Sequence, residues 1–130
     1  MQIVREKVTL DELKQMPEKI MIYTTLAGGR WNGLSTIEQM ANVGCDIERT
    51  IRWRNKGDLN YSRNAFDRAL ELLQLTIADP KNKKRLKELC RVKEVLIDYF
   101  LFDNKYSSTD EAWQKYFFNF NYMYALARGR

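Results

Sequence analysis

Apolar positions recur three and four residues apart along most of the chain, the spacing of helices with one buried face. Ile37, Met40, Ala41, Gly44, Ile47 and Ile51 form one such stripe, which predicts a helix over 36–55 closed by Lys56-Gly57. Phe66, Ala69, Leu70, Leu73 and Ile77 predict a second over 62–78. Leu86, Leu89, Cys90, Ile97 and Phe100 predict a third over 80–102, and Trp113, Tyr116, Phe117, Phe120 and Tyr124 a fourth over 109–127. Start signals fall where these stripes begin. Ser35 with Glu38 and Ser108 with Glu111 have capping-box spacing, and Asp79-Pro80 is a cap followed by proline at the first helical position. A further box, Thr9 with Glu12, predicts a short helix over 10–15. The β-branched run from Ile20 to Leu26 has no second strand to pair with, so 18–27 is also read as helical. The expected fold is a single all-α domain over 1–130, an up-and-down four-helix bundle over about 35–127 with one or two extra N-terminal helices.

Composition narrows the chemistry. At 130 residues with 45% hydrophobic positions, the chain can bury one core. It has no histidine, which removes Ser-His-Asp and Cys-His nucleophilic sites and imidazole metal ligands. Cys45 and Cys90 lack the CxxC spacing and lie on apolar helical positions, so two reduced core thiols are expected. Gly28-Gly29 and Gly33 match no phosphate-cradling motif. The paired acids Asp110 and Glu111 are explained by a helix first turn, where the dipole favours anions. No cofactor or metal is expected. Without an apolar h-region or membrane-length apolar run, the expected location is cytoplasmic, with no membrane partner.

The charge is unevenly distributed. Residues 49–68 carry a net +4 and residues 81–93 a net +6, against +5 for the whole chain. In the first block Arg52 and Arg54 complement a helix C-terminus, while Trp53 and Tyr61 among them suggest a stacking surface for nucleic acid. In the second, the cations from Lys81 to Lys87 crowd a predicted helix N-terminus, where the dipole opposes them. Lys84, Lys87 and Arg91 share its outer face, and a local rule broken this way points to an anion-binding patch. The two blocks are expected near opposite ends of the bundle.

Two charges fall on apolar stripes. Glu48 lies within about 20° of Ile37 and Lys93 within about 20° of Leu86 on a helical wheel. A buried pair between them, or with Arg63, is expected; an enzyme reading would need a ligand-sized pocket beside them. Leu72 and Leu75 point away from the second helix's main face, and Phe118, Tyr122 and Leu126 from the fourth's. These second apolar faces predict a homodimer.

The segment Arg63-Asn64-Ala65-Phe66-Asp67-Arg68 resembles the signature of the HEPN superfamily, helical bundles that accompany nucleotidyltransferases or act as toxin ribonucleases. That signature is an arginine, often followed by asparagine, with a histidine five positions after the arginine; here Arg68 occupies the histidine position. The resemblance covers about 35–127. It implies a dimerising bundle without the histidine-dependent cleavage, one that touches nucleic acid or a nucleotidyltransferase.

The functional expectation is a non-catalytic binding or accessory module that meets nucleic acid or an acidic protein through Lys84, Lys87 and Arg91, with Arg52, Arg54 and Trp53 in support. The alternative is a structural or regulatory homo-oligomer whose charges serve solubility alone.

Overall fold

The computed structural model describes residues 29–129. The helices expected over 10–15 and 18–27, and the capping box at Thr9, lie outside the described residues. A helical turn over 29–31 leads into α1 (Thr36–Asn55). Then come α2 (Leu59–Ala78), a 3-10 helix (Pro80–Arg85), α3 (Leu86–Leu101) and α4 (Asp110–Arg128). The described residues contain no strand, and the protein is an all-α helical bundle. Among them, no helix is long and apolar enough to cross a membrane.

The caps explain where the helices begin. Ser35 accepts a hydrogen bond from the Glu38 amide at 3.1 Å, as its capping box predicts. Asp58 accepts from the Tyr61 amide at 3.1 Å, which starts α2 three residues before the predicted boundary. At the last helix Thr109, rather than Ser108, is the cap, accepting from the Ala112 amide at 3.1 Å. Gly57, at φ 86°, takes the left-handed conformation that ends α1.

Side-chain contacts fix the topology. Arg54, near the end of α1, pairs with Asp110 at the start of α4, and Tyr124 near the end of α4 donates to Glu38 at the start of α1. Phe66 near the start of α2 meets Phe100 near the end of α3, ring centroids 5.0 Å apart. Neighbouring helices therefore run in opposite directions. α1 packs on both α2 and α4, and its buried positions extend well beyond the predicted stripe to Gln39, Val43, Asp46 and Thr50. At Gly44 the α1–α4 approach is so close that a Cβ there would lie 2.8 Å from the Phe117 Cβ. The core joins residues of all four helices, with Met40, Ile47, Phe66, Leu73, Leu89, Leu96 and Phe117 among its members.

α3 departs from expectation in two ways. Its first six predicted residues form a tighter 3-10 helix, with Asp79 capping it and Pro80 at its first turn. Its buried row is Leu89, Val92 and Leu96, while Leu86 and Cys90 are exposed. The apolar arc of α3 is wider than the strip its neighbours cover, so the packing selects one side of it. Cys45 is exposed as well; neither thiol is in the core.

One end of the bundle is closed by buried polar groups rather than by apolar ones. Gln39 and Thr76 are fully buried and Asn82 nearly so. The Asn82 amide donates to Gln39 Oε1 and to the Thr76 carbonyl, both at 2.8 Å. Gln39 Nε2 donates to Asp79 Oδ2 at 2.8 Å and to the Trp31 carbonyl at 3.0 Å. Trp31 Nε1 donates to Thr76 Oγ1 at 2.9 Å, Thr36 donates to Asn82, and Lys81 pairs with Asp79. The 29–31 turn, α1, α2 and the 3-10 helix are thereby tied together.

Candidate anion-binding groove

Between α1 and α2 runs a groove of about 780 Å³ whose lining includes Arg30, Cys45, Asp46, Arg49, Arg68 and Glu71. Asp46 lies at its base. The carboxylate is nearly inaccessible, accepting from Arg49 Nη1 at 2.8 Å and meeting Arg68 Nε at 3.4 Å. The two arginine side chains are themselves mostly exposed, 56% and 67%. Burial pushes the Asp46 carboxyl above its ordinary value, against the pull of Arg49 and Arg68. One carboxylate thus hydrogen-bonds Arg49 and draws Arg68 towards it by charge; with Glu71 it leaves the lining cations Arg30, Arg49 and Arg68 a net +1 (three cations, two carboxylates). Each guanidinium has five N–H donors in a rigid fork, so donors are left over to face the groove.

The exposed face of α1 extends this surface. Asn42, Cys45, Arg49, Arg52 and Lys56 are all exposed and follow one another at three- and four-residue steps. Beyond the groove's lining, towards the α1–α2 turn, Trp53 and Tyr61 make ring contact at 4.8 Å, and Lys56 Nζ lies 5.2 Å from the Trp53 ring centroid. Tyr61 is 56% exposed.

The predicted residues divide between this surface and other places. Arg52 is exposed on α1 and Trp53 is half-buried; neither lines the groove itself. Arg54 turns away to pair with Asp110, an acid that also accepts from Tyr99 at 2.6 Å. Burial raises the Asp110 carboxyl, but the hydrogen bonds from Arg54 and Tyr99 outweigh it and hold the group below its ordinary value. Lys84 and Lys87 are exposed at the opposite end of the bundle. Arg91 pairs with Glu94 at 3.6 Å and lies over Tyr106. Because α3 begins at Leu86, Lys81, Lys83, Lys84 and Arg85 precede it, and Glu88 sits in its first turn. The conflict with the α3 dipole that singled out this block is therefore confined to Lys87.

Glu48 and Lys93 are not brought together. Glu48 accepts from Gln114 at 3.3 Å and Lys93 donates to Gln74 at 2.7 Å, both on the half-buried margins of their helices. Ile37, the stripe position beside Glu48, is itself only half-buried, so that row follows an edge of α1 rather than its centre. Arg63 pairs with Asp67 at 2.9 Å, Asn64 is exposed, and Arg68, five residues on, turns to Asp46 instead. Leu72 and Leu75 line the α1–α2 groove. Phe118 instead borders a separate hollow of about 180 Å³ with Gly44, Ile47 and Glu48, on the other flank of α1, and stacks on Tyr122 at 6.0 Å. The α2 and α4 residues expected to serve a homodimer thus belong to two separate surfaces.

The groove was missed because its parts are far apart in sequence. The local signals were present, in the three-residue step from Asp46 to Arg49 and the regular sequence Arg49, Arg52, Lys56. What joins them to Arg68 and Arg30 is the packing of α2 and the 29–31 turn. Among the described residues, no group of three or more His, Cys, Asp or Glu is arranged to hold a metal ion. Compared with protein-family models, curated proteins and solved structures, the chain matches none.

Proposed function

We propose that the protein is a non-catalytic binding module that takes an anionic polymer, a nucleic acid, along the α1–α2 groove. The observation that carries this reading is the pair of exposed arginines, Arg49 and Arg68, organised by the single buried carboxylate of Asp46. Guanidiniums drawn to a shared carboxylate lose less side-chain freedom on meeting a phosphate than free ones do. Arg30, Arg52 and Lys56 add charge along the same surface. Lys84 and Lys87, at the far end, serve solubility in this reading. The test is binding of a labelled short DNA strand across a salt series. Replacing Arg49 and Arg68 by glutamine is expected to weaken binding about tenfold and to flatten the slope of log K against log salt by about 1.5, as lost phosphate contacts do. Arg52→Glu, which leaves Asp46 untouched, is expected to weaken it too, and the Lys84→Glu/Lys87→Glu pair to have little effect. Binding that ignores salt, or that follows only the Lys84/Lys87 pair, would overturn the groove reading.

A second copy of the chain is the other proposed partner, through α4. Phe118, Tyr122, Met123 and Leu126 are 61%, 55%, 48% and 46% exposed along one side of that helix. The Phe118 ridge lies beside the small hollow over Gly44, and a knob next to a hole is self-complementary under a two-fold axis. Sedimentation is expected to give a dimer that Phe118→Asp converts to monomer. A parent chain that stays monomeric at every concentration reached would exclude this contact.

A further inference from the structure

We infer that this surface takes a single strand rather than a duplex, with a base stacked on Tyr61 where it leans on Trp53 near the α1–α2 turn; this rests on the anion-binding reading above. The cations lie in a concave cleft between two packed helices, whose axes in such packing are about 8–10 Å apart. A duplex reads as a convex rod. Proteins that enter it do so by pushing a helix or ribbon into a major groove about 12 Å wide. Here the arginine side chains stand mostly exposed along the rims of the groove, which also contains Leu72 and Leu75. A single strand can lie within the cleft. From Asn42 to Lys56 this exposed face is about 21 Å long at 1.5 Å per residue, with its cations Arg49, Arg52 and Lys56 over the last half. That length suits about four nucleotides, the lower end of known single-strand sites.

The aromatic pair supplies what a phosphate-only surface lacks. Tyr61 leans on Trp53, which fixes its ring, yet leaves more than half of the residue open to solvent. Lys56 lies over Trp53, so a backbone phosphate and a stacked base can be engaged within one nucleotide of each other. Bases of any identity have a flat face, so such stacking tolerates sequence while rejecting chains that carry charge alone. An acidic peptide would satisfy the arginines and leave the ring unused.

The experiment compares three probes of similar charge by anisotropy: a thymidine strand of about 12 nucleotides, an abasic strand of the same length, and a blunt duplex. The thymidine strand is expected to bind about tenfold more tightly than the abasic one, the scale of one base stacked on an aromatic ring. Tyr61→Leu is expected to remove that difference and to leave abasic binding unchanged. Tyr61→Phe, which keeps the ring, should behave as the parent. Equal affinity for the thymidine and abasic strands, or tighter binding of the duplex, overturns the single-strand inference while the arginine dependence still upholds the groove. Polyglutamate binding as tightly as the thymidine strand overturns it in favour of an acidic protein. If no probe responds to the Arg49/Arg68 substitutions, the proposed function itself fails.

Discussion

Replacing Asn82 with leucine is expected to lower the stability of the fold by about 2–4 kcal/mol, although the substitution adds apolar surface to a buried site. The side chain of Asn82 satisfies Gln39 Oε1 and the Thr76 carbonyl, and accepts from Thr36. Leucine leaves those groups without their partner where little water can replace it. The measurement is the urea midpoint, with the slope unchanged if the native state keeps its compactness. The double variant Gln39→Leu/Asn82→Leu should cost less than the sum of its parts, because each single change already breaks their shared bond; about 1 kcal/mol of coupling is expected. A loss within about 0.5 kcal/mol for Asn82→Leu would mean that the cluster is incidental to stability. Acid should weaken the same cluster through Asp79. Burial raises that carboxyl, but hydrogen bonds from Lys81 and Gln39 more than offset it, so its folded value lies below the ordinary one. A group lowered on folding contributes stability that is complete above its unfolded value and is lost as pH falls through the folded one. The network's contribution is therefore expected to hold at neutral pH and to decline below about pH 4. Asp79→Asn should blunt that decline.

Gly44→Ala is expected to destabilise the protein, reversing the usual sign for this substitution inside a helix. Propensity alone would favour alanine by about 1 kcal/mol. The new methyl, however, would lie 2.8 Å from Phe117 Cβ and 3.0 Å from its Cγ. The Cβ is fixed to the α4 backbone and cannot swing aside as a side-chain tip can. α1 and α4 must separate, and overpacking of this kind costs about 1–3 kcal/mol. Thermal unfolding should fall by about 3–5 °C for each kcal/mol lost in a chain of this size. An unchanged or raised midpoint would show that the two helices accommodate the methyl by sliding.

The helices were legible because each has its own period and most begin at a recognisable cap; α3 itself starts without one. Ser35, Asp79 and the α4 aromatics Trp113, Phe117 and Phe120 behave as their local pattern implies. The misreadings arise where neighbours decide. Nothing in the stripe of α3 distinguishes Val92 from Cys90 as the buried partner of Leu89; the packing of the other helices does. Glu48 and Lys93 looked buried for the same reason, since a wheel gives an angle and not the width of the covering neighbour. The groove was less legible still. Asp46 reads as an ordinary helical acid until α2 brings Arg68 to it across 22 positions of sequence. Gln39 and Asn82, similarly, are unremarkable polar residues until they meet.

The buried cluster at that end of the bundle also bears on descent. An apolar heptad-like pattern is shared by countless unrelated helical proteins and carries little memory of ancestry. A lock between Gln39, Thr76, Asp79 and Asn82 is different, because changing any one member strands the others. Such residues can drift only together, so their joint retention would identify kin of this chain after the surrounding apolar sequence had diverged.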